Sequence, residues 1–141
     1  MLNGPSFPPD SNHKLLSWTF RLIAVAILLQ SLYFKFGSHP DSIRLFELLG
    51  AEPFGRYTLG VIELFISFLI LNSRTTLLGA ILGMGIMTGA ILSHIFILGI
   101  VFQNDGGKLF SLAIICFLAC VGQVVFLKNQ LKSYLKKGYV I

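Results

Sequence analysis

Charge is what this sequence has least of. Eleven Lys and Arg and six Asp and Glu make up 12% of its 141 residues, where a soluble domain carries about 25%. So few charges cannot wet the surface of a soluble globule. Intrinsic disorder, collagen, coiled coil and a disulfide scaffold fall away on composition alone. There are only two cysteines. No cleavable signal is expected either. Met1–Asn12 holds Pro5, Pro8 and Pro9 and has no positive n-region. It reads as a short disordered lead. The first apolar run, from Leu15, has no small-residue cleavage site after it and is expected to stay as an anchor.

What is present is apolar sequence. Hydrophobic residues are 55% of the chain, and mean hydropathy is +0.80. Four membrane-spanning helices of about 20 residues need about 80 residues, close to that share. The expected fold is all-α, a four-helix transmembrane bundle. The spans are read as 15–35, 54–71, 77–102 and 109–127. Residues 1–14 form the lead, 15–127 the membrane domain and 128–141 a basic cytoplasmic tail.

Between the first two spans, Ser42–Gly50 reads SIRLFELLG. Ser42 is the expected N-cap, and Ile43, Phe46 and Leu49 share a face. This predicts a short helix lying in the membrane interface, ended by Pro53.

The formal net charge is +5. The basic residues cluster at the ends of apolar runs, so they set topology. No surface Lys and Arg interleave with stacking aromatics, which argues against nucleic acid as a partner. Lys14, Arg74, Lys128, Lys132, Lys136 and Lys137 fall on one face, with Arg21 nearby. Lys35, Arg44, Arg56 and Lys108 fall on the other, offset by Asp41, Glu47, Glu52 and Asp105. Both termini are therefore expected in the cytoplasm.

An ionisable group at bilayer depth is costly and calls for a partner or a role. Glu63 lies roughly 14 Å and His94 roughly 12 Å below the second face, at a rise of about 1.5 Å per residue. Lys35 closes the first span on the same side. An acid, a base and a cation thus converge in one half of the bundle. The helical period of about 100° per residue gives each helix one polar stripe. Arg21, Leu28 and Lys35 form the first, and Glu63, Ser67 and Arg74 the second. His94 shares a face with Ala90, Met87, Gly83 and Gly79, and Cys116, Cys120 and Gln123 form the last.

Each feature has a plain structural reading beside the functional one. Glu63 is either a functional acid or half of a buried ion pair with Lys35 or Arg21. His94 is either a ligand contact or a satisfied core histidine. Arg21, Arg74 and Gln123 read as structural polar groups. Gly79-x-x-x-Gly83 and Gly85-x-x-x-Gly89 read as helix packing on two sides of one span. Cys116 and Cys120, one turn apart within a helix, read as core thiols. No metal site is expected: one His and one Glu do not complete a ligand set.

These residues resemble the DoxX family of small bacterial integral membrane proteins, particularly its DoxX-like branch. The similarity runs from Arg21 to Leu127. It includes Arg21-Leu22, Leu32-Tyr33-Phe34-Lys35-Phe36, Phe46, Leu49-Gly50 and Gly60-Val61-Ile62-Glu63-Leu64. It continues through Met87-Thr88-Gly89-Ala90, Ser93-His94-Ile95 and Leu98-Gly99-Ile100. The order Lys35, Glu63, His94 carries most of it. The resemblance implies a four-helix bundle in the bacterial cytoplasmic (inner) membrane. The family takes its name from a subunit of an archaeal thiosulfate:quinone oxidoreductase, and other members look like membrane partners of redox and detoxification proteins.

The leading expectation is a redox-associated membrane subunit that interacts with quinone or quinol and is not an enzyme on its own. Glu63 and His94 would transfer protons, with His94 bonded to a ring carbonyl. Lys35 would favour the Glu63 anion, and Tyr33, Phe36 or Tyr57 would flank the ring. A redox protein partner and a homo-oligomer both fit this reading. The alternatives are a non-catalytic scaffold or assembly partner, and a small transporter or proton conductor.

Overall fold

The computed structural model describes residues 11–136. Five α-helices follow in chain order: α1 Ser11–Phe36, α2 Pro40–Leu48, α3 Phe54–Leu71, α4 Thr76–Ser93 and α5 Lys108–Lys136. A π-helical turn, His94–Leu98, extends α4. No strand occurs among the described residues. Four segments are long and apolar enough to cross a membrane: Lys14–Phe36, Phe54–Leu71, Thr76–Leu98 and Lys108–Asn129.

The long helices form a ring in which α1 packs on α3, α3 on α4, α4 on α5 and α5 back on α1. Burial runs opposite to that of a soluble protein. Large apolar side chains such as Phe65, Phe68 and Phe96 point outward. The centre holds Ala24, Leu28, Ile66, Ile70, Ala80, Cys116, Ala119 and Cys120, together with Arg21, Lys35, Arg56, Glu63, Ser67, His94 and Gln123. Lipid solvates apolar side chains, so these helices associate through small residues and internal polar contacts.

Gly79 shows why. A Cβ there would lie 2.8 Å from the Ile70 backbone nitrogen and 2.9 Å from Leu69 Cβ. Only hydrogen at that position lets α4 approach α3 so closely. Gly83 sits against Cys120, on the same side. Gly85 and Gly89 face open space, so the second glycine pair packs against none of the described helices. The α3–α4 turn is closed by Thr76 Oγ1, which donates to the carbonyls of Asn72 at 2.8 Å and Ile70 at 3.1 Å.

Several boundaries differ from the sequence reading. Helix α1 begins at Ser11, inside the expected lead; residues 1–10 lie outside the described residues. The third span ends at Leu98 and not at residue 102. Gly99 (φ 81, ψ 160) breaks the helix, and Phe102 folds back into a buried position. Helix α5 continues to Lys136, so most of the basic tail is helical; residues 137–141 lie outside the described residues. Ser42 does not cap α2. His39 does, with Nδ1 accepting from the Asp41 N–H at 3.3 Å. Pro40 follows at the first helical position, where its missing N–H costs nothing. Phe46 is the buried anchor of α2, while Ile43 and Leu49 are half-buried. The short helix lies across the end of the bundle, touching α1, α3 and the π turn.

Candidate functional site

The period of α1 places Ser31 and Lys35 one turn apart on its inward stripe. Glu63 faces them from α3. Lys35 Nζ lies 2.9 Å from Glu63 Oε2 and 3.2 Å from Oε1. The Ser31 hydroxyl lies 3.2 Å from Oε2 and also accepts from Lys35 Nζ. Glu63 is 2% exposed, so its charge is answered by the lysine and not by water. Of the two partners that the sequence offered Glu63, the fold selects Lys35.

A second cation supports this pair from behind. Arg56 is buried, and its Nη1 donates to the Lys35 backbone carbonyl. Its Nε and Nη2 grip Glu52 at 2.7–3.0 Å, the fork geometry in which an arginine binds a carboxylate best. Its guanidinium carbon stands 4.3 Å over the Tyr57 ring. Sequence reading assigned Arg56 to topology and missed this role. The i,i+4 spacing of Glu52 and Arg56 was the available signal, but a non-helical segment with Pro53 intervenes.

His94 sits at the start of the π turn and is 4% exposed. Its Nδ1 lies 2.9 Å from the Gly99 carbonyl oxygen. A carbonyl only accepts, so Nδ1 carries the hydrogen. In the neutral ring Nε2 is then an acceptor. The ring rests edge-on against Phe110, with centroids 5.8 Å apart. With Nδ1 bonded to Gly99, Nε2 is the nitrogen left to meet a ligand.

The ion pair and His94 line the same cavity of about 700 Å³ beneath α2. Apolar walls come from Leu28, Phe34, Leu45, Phe46, Met87 and Leu112. Asp105 lies at the end near α5. Burial draws its carboxyl upward, but the backbone N–H groups of Leu109, Gly107 and Phe102 donate to it and hold it below the usual carboxylate range. Asp105 thereby ties the loop after the π turn to the start of α5. Sequence reading counted it only as a surface charge.

The expected aromatic flank does not line this cavity. Tyr33 is 76% exposed. Phe36 and Tyr57 stack on each other with centroids 6.3 Å apart, and Phe36 lies over Gly60. At about 100° per residue, Tyr33 points roughly opposite to Lys35, whereas Ser31 shares its face. Phe34 and Phe46 are the aromatics on the cavity wall.

The structural polar group divides. Arg21 is buried at the opposite end of the bundle and donates to Ser73 Oγ at 3.2 Å. Gln123 Nε2 donates to Ser17 Oγ at 2.9 Å, near the same end. Arg74 is exposed in the α3–α4 turn. Cys116 and Cys120 are free and buried, with Cys116 Sγ 3.8 Å from the Ala24 carbonyl. Among the described residues no cluster of three or more His, Cys, Asp or Glu is placed to hold a metal ion.

Comparison of the chain with family models, curated proteins and solved structures returned no match.

Proposed function

We propose that this chain is a DoxX-like membrane subunit that binds a quinol or quinone ring in the cavity between Lys35, Glu63 and His94. The observation that carries the reading is the shared cavity. It has the volume of a small-molecule site, mostly apolar walls and a few convergent polar groups, and it lies within a bundle long enough to span a bilayer. A lipophilic ring suits such walls, and its two oxygens suit the polar groups.

Oxidation of a quinol releases two protons and two electrons. This chain's residues account for the protons. His94 accepts one at Nε2 while Gly99 holds Nδ1, and Glu63 accepts or returns another beside Lys35. Lys35 and Ser31 orient the Glu63 carboxylate. The electrons belong to a redox partner protein. The resemblance and the charge distribution support a bacterial cytoplasmic membrane as its location, with both termini inside.

The test is equilibrium binding of a short-tailed benzoquinol to the purified protein in detergent. Wild type is expected to bind saturably. His94→Ala is expected to bind at least tenfold more weakly with an unchanged melting transition. Equal binding by both proteins would remove His94 from the site and favour a scaffold role for the polar cluster.

A further inference from the structure

A second cavity of about 170 Å³ lies at the other end of the bundle, between α1, the α3–α4 turn and α5. Its polar lining is Lys14, Ser17, Trp18, Arg21 and Ser73. Arg21 is 7% exposed. Its Nη1 reaches Ser73 Oγ, its guanidinium carbon stands 4.8 Å over the Trp18 ring, and its Nε is buried without a hydrogen-bond partner.

Among the described residues no carboxylate pairs with Arg21. The described acids that form ion pairs do so with Lys35, His39, Arg44 and Arg56. The remaining one, Asp105, is bound to the backbone beside His94. A buried cation without a counter-charge is strongly unfavourable in a low dielectric. Among the described residues that charge is supplied to Lys35 and Arg56 and not to Arg21.

The polar lining is also made of donors. A guanidinium has five N–H groups and accepts nothing, and an ammonium is likewise a donor only. The oxygens of Ser17 and Ser73 each accept a bond from the protein, from Gln123 and Arg21 respectively, which leaves their hydrogens to be donated. A water occupies about 30 Å³ of liquid, so the cavity has room for a tetrahedral oxyanion.

We infer that this cavity binds a phosphate group, with Arg21 as the buried cation and Lys14 as the exposed cation at its rim. Arginine is well suited to phosphate because its planar fork matches two oxygens at once. Trp18 lies near the start of the first span, at the depth where indoles gather in membrane proteins. Either the headgroup of an anionic phospholipid or free phosphate supplies this chemistry. The site is independent of the ring-binding cavity.

Trp18 is the only tryptophan in the chain and reports on the site directly. The full chain in an uncharged detergent is titrated with a short-chain phosphatidylglycerol, a diacylglycerol of equal chain length, and inorganic phosphate at constant ionic strength. A saturable change in Trp18 emission is expected with the anionic lipid and not with the diacylglycerol. Arg21→Gln should weaken it at least tenfold. Lys14→Gln, at an exposed position that folding tolerates, should weaken it severalfold. An equal response to inorganic phosphate identifies the free ion as the ligand, and a response to lipid alone identifies the headgroup; both uphold the site. The inference is overturned if the diacylglycerol gives the same change, if neither phosphate compound gives one, or if Lys14→Gln titrates as wild type.

Discussion

Lys35 Nζ and Glu63 Oε2 meet at 2.9 Å inside the bundle, joining α1 to α3. Their side chains are 11% and 3% exposed, so each is the other's principal counter-charge. Removing one partner leaves a buried charge unanswered, at about 3–5 kcal/mol. Lys35→Met and Glu63→Leu should each lower detergent-phase stability by that order. The double variant should recover much of the loss, because an apolar pair has no charge to bury. Thermal melts of the four proteins check this, and additive losses would show that the pair is not coupled.

The two sides of α4 should respond differently to a methyl group. Gly79→Ala drives Cβ into the Ile70 backbone and is expected to cost about 1–3 kcal/mol, as overpacking does. Gly85→Ala meets nothing and should be neutral, or stabilising by up to about 1 kcal/mol through helix propensity. Equal destabilisation at both positions would place a partner against the Gly85 side.

Gly99 presents its carbonyl to His94 from a conformation that is almost reserved for glycine (φ 81, ψ 160). Gly99→Ala should cost about 1–3 kcal/mol in strain or move the carbonyl away. In the second case His94 loses the bond that sets its tautomer. Benzoquinol binding should then weaken severalfold although every cavity-lining side chain is intact. A variant that binds the quinol as wild type does would separate ring binding from the Gly99 contact.

Asp105 gives the fold a predictable acid limit. Its carboxyl is held below the usual value, so its contribution is fully present above the unfolded value of about 3.9. That contribution is lost as pH falls through the lower folded value. Asp105→Ala should cost about 1–2 kcal/mol at neutral pH, as loss of a capping carboxylate does. The difference between the two proteins should shrink below about pH 4. Urea titrations at pH 7 and pH 3.5 read it, and a constant difference would show that the carboxylate charge is not involved.

The four spans were legible because burying a backbone in lipid demands long, continuous apolar helices, which are a one-dimensional signal. The inward stripes were legible from helical period alone. Arg21, Leu28, Lys35, Glu63, Ser67, His94, Cys116 and Gln123 are all buried, whereas Arg74, counted on the second stripe, is exposed in the turn after α3. Boundaries were less legible. An apolar residue such as Phe102 reads as span whether it continues a helix or folds back into the core.

By itself, then, the sequence determined four helices long and apolar enough to span a membrane and most of the polar groups that face inward. Tertiary structure decided the partners. Helical period says which way a residue points within its own helix, but not which neighbouring helix it meets. Only the packed ring of helices assigned Glu63 to Lys35 and Arg56 to the Lys35 carbonyl. Among the described residues the same packing left Arg21 with no carboxylate. Ion pairing and hydrogen bonding act over a few ångströms, and those distances exist only once helices remote in sequence have docked.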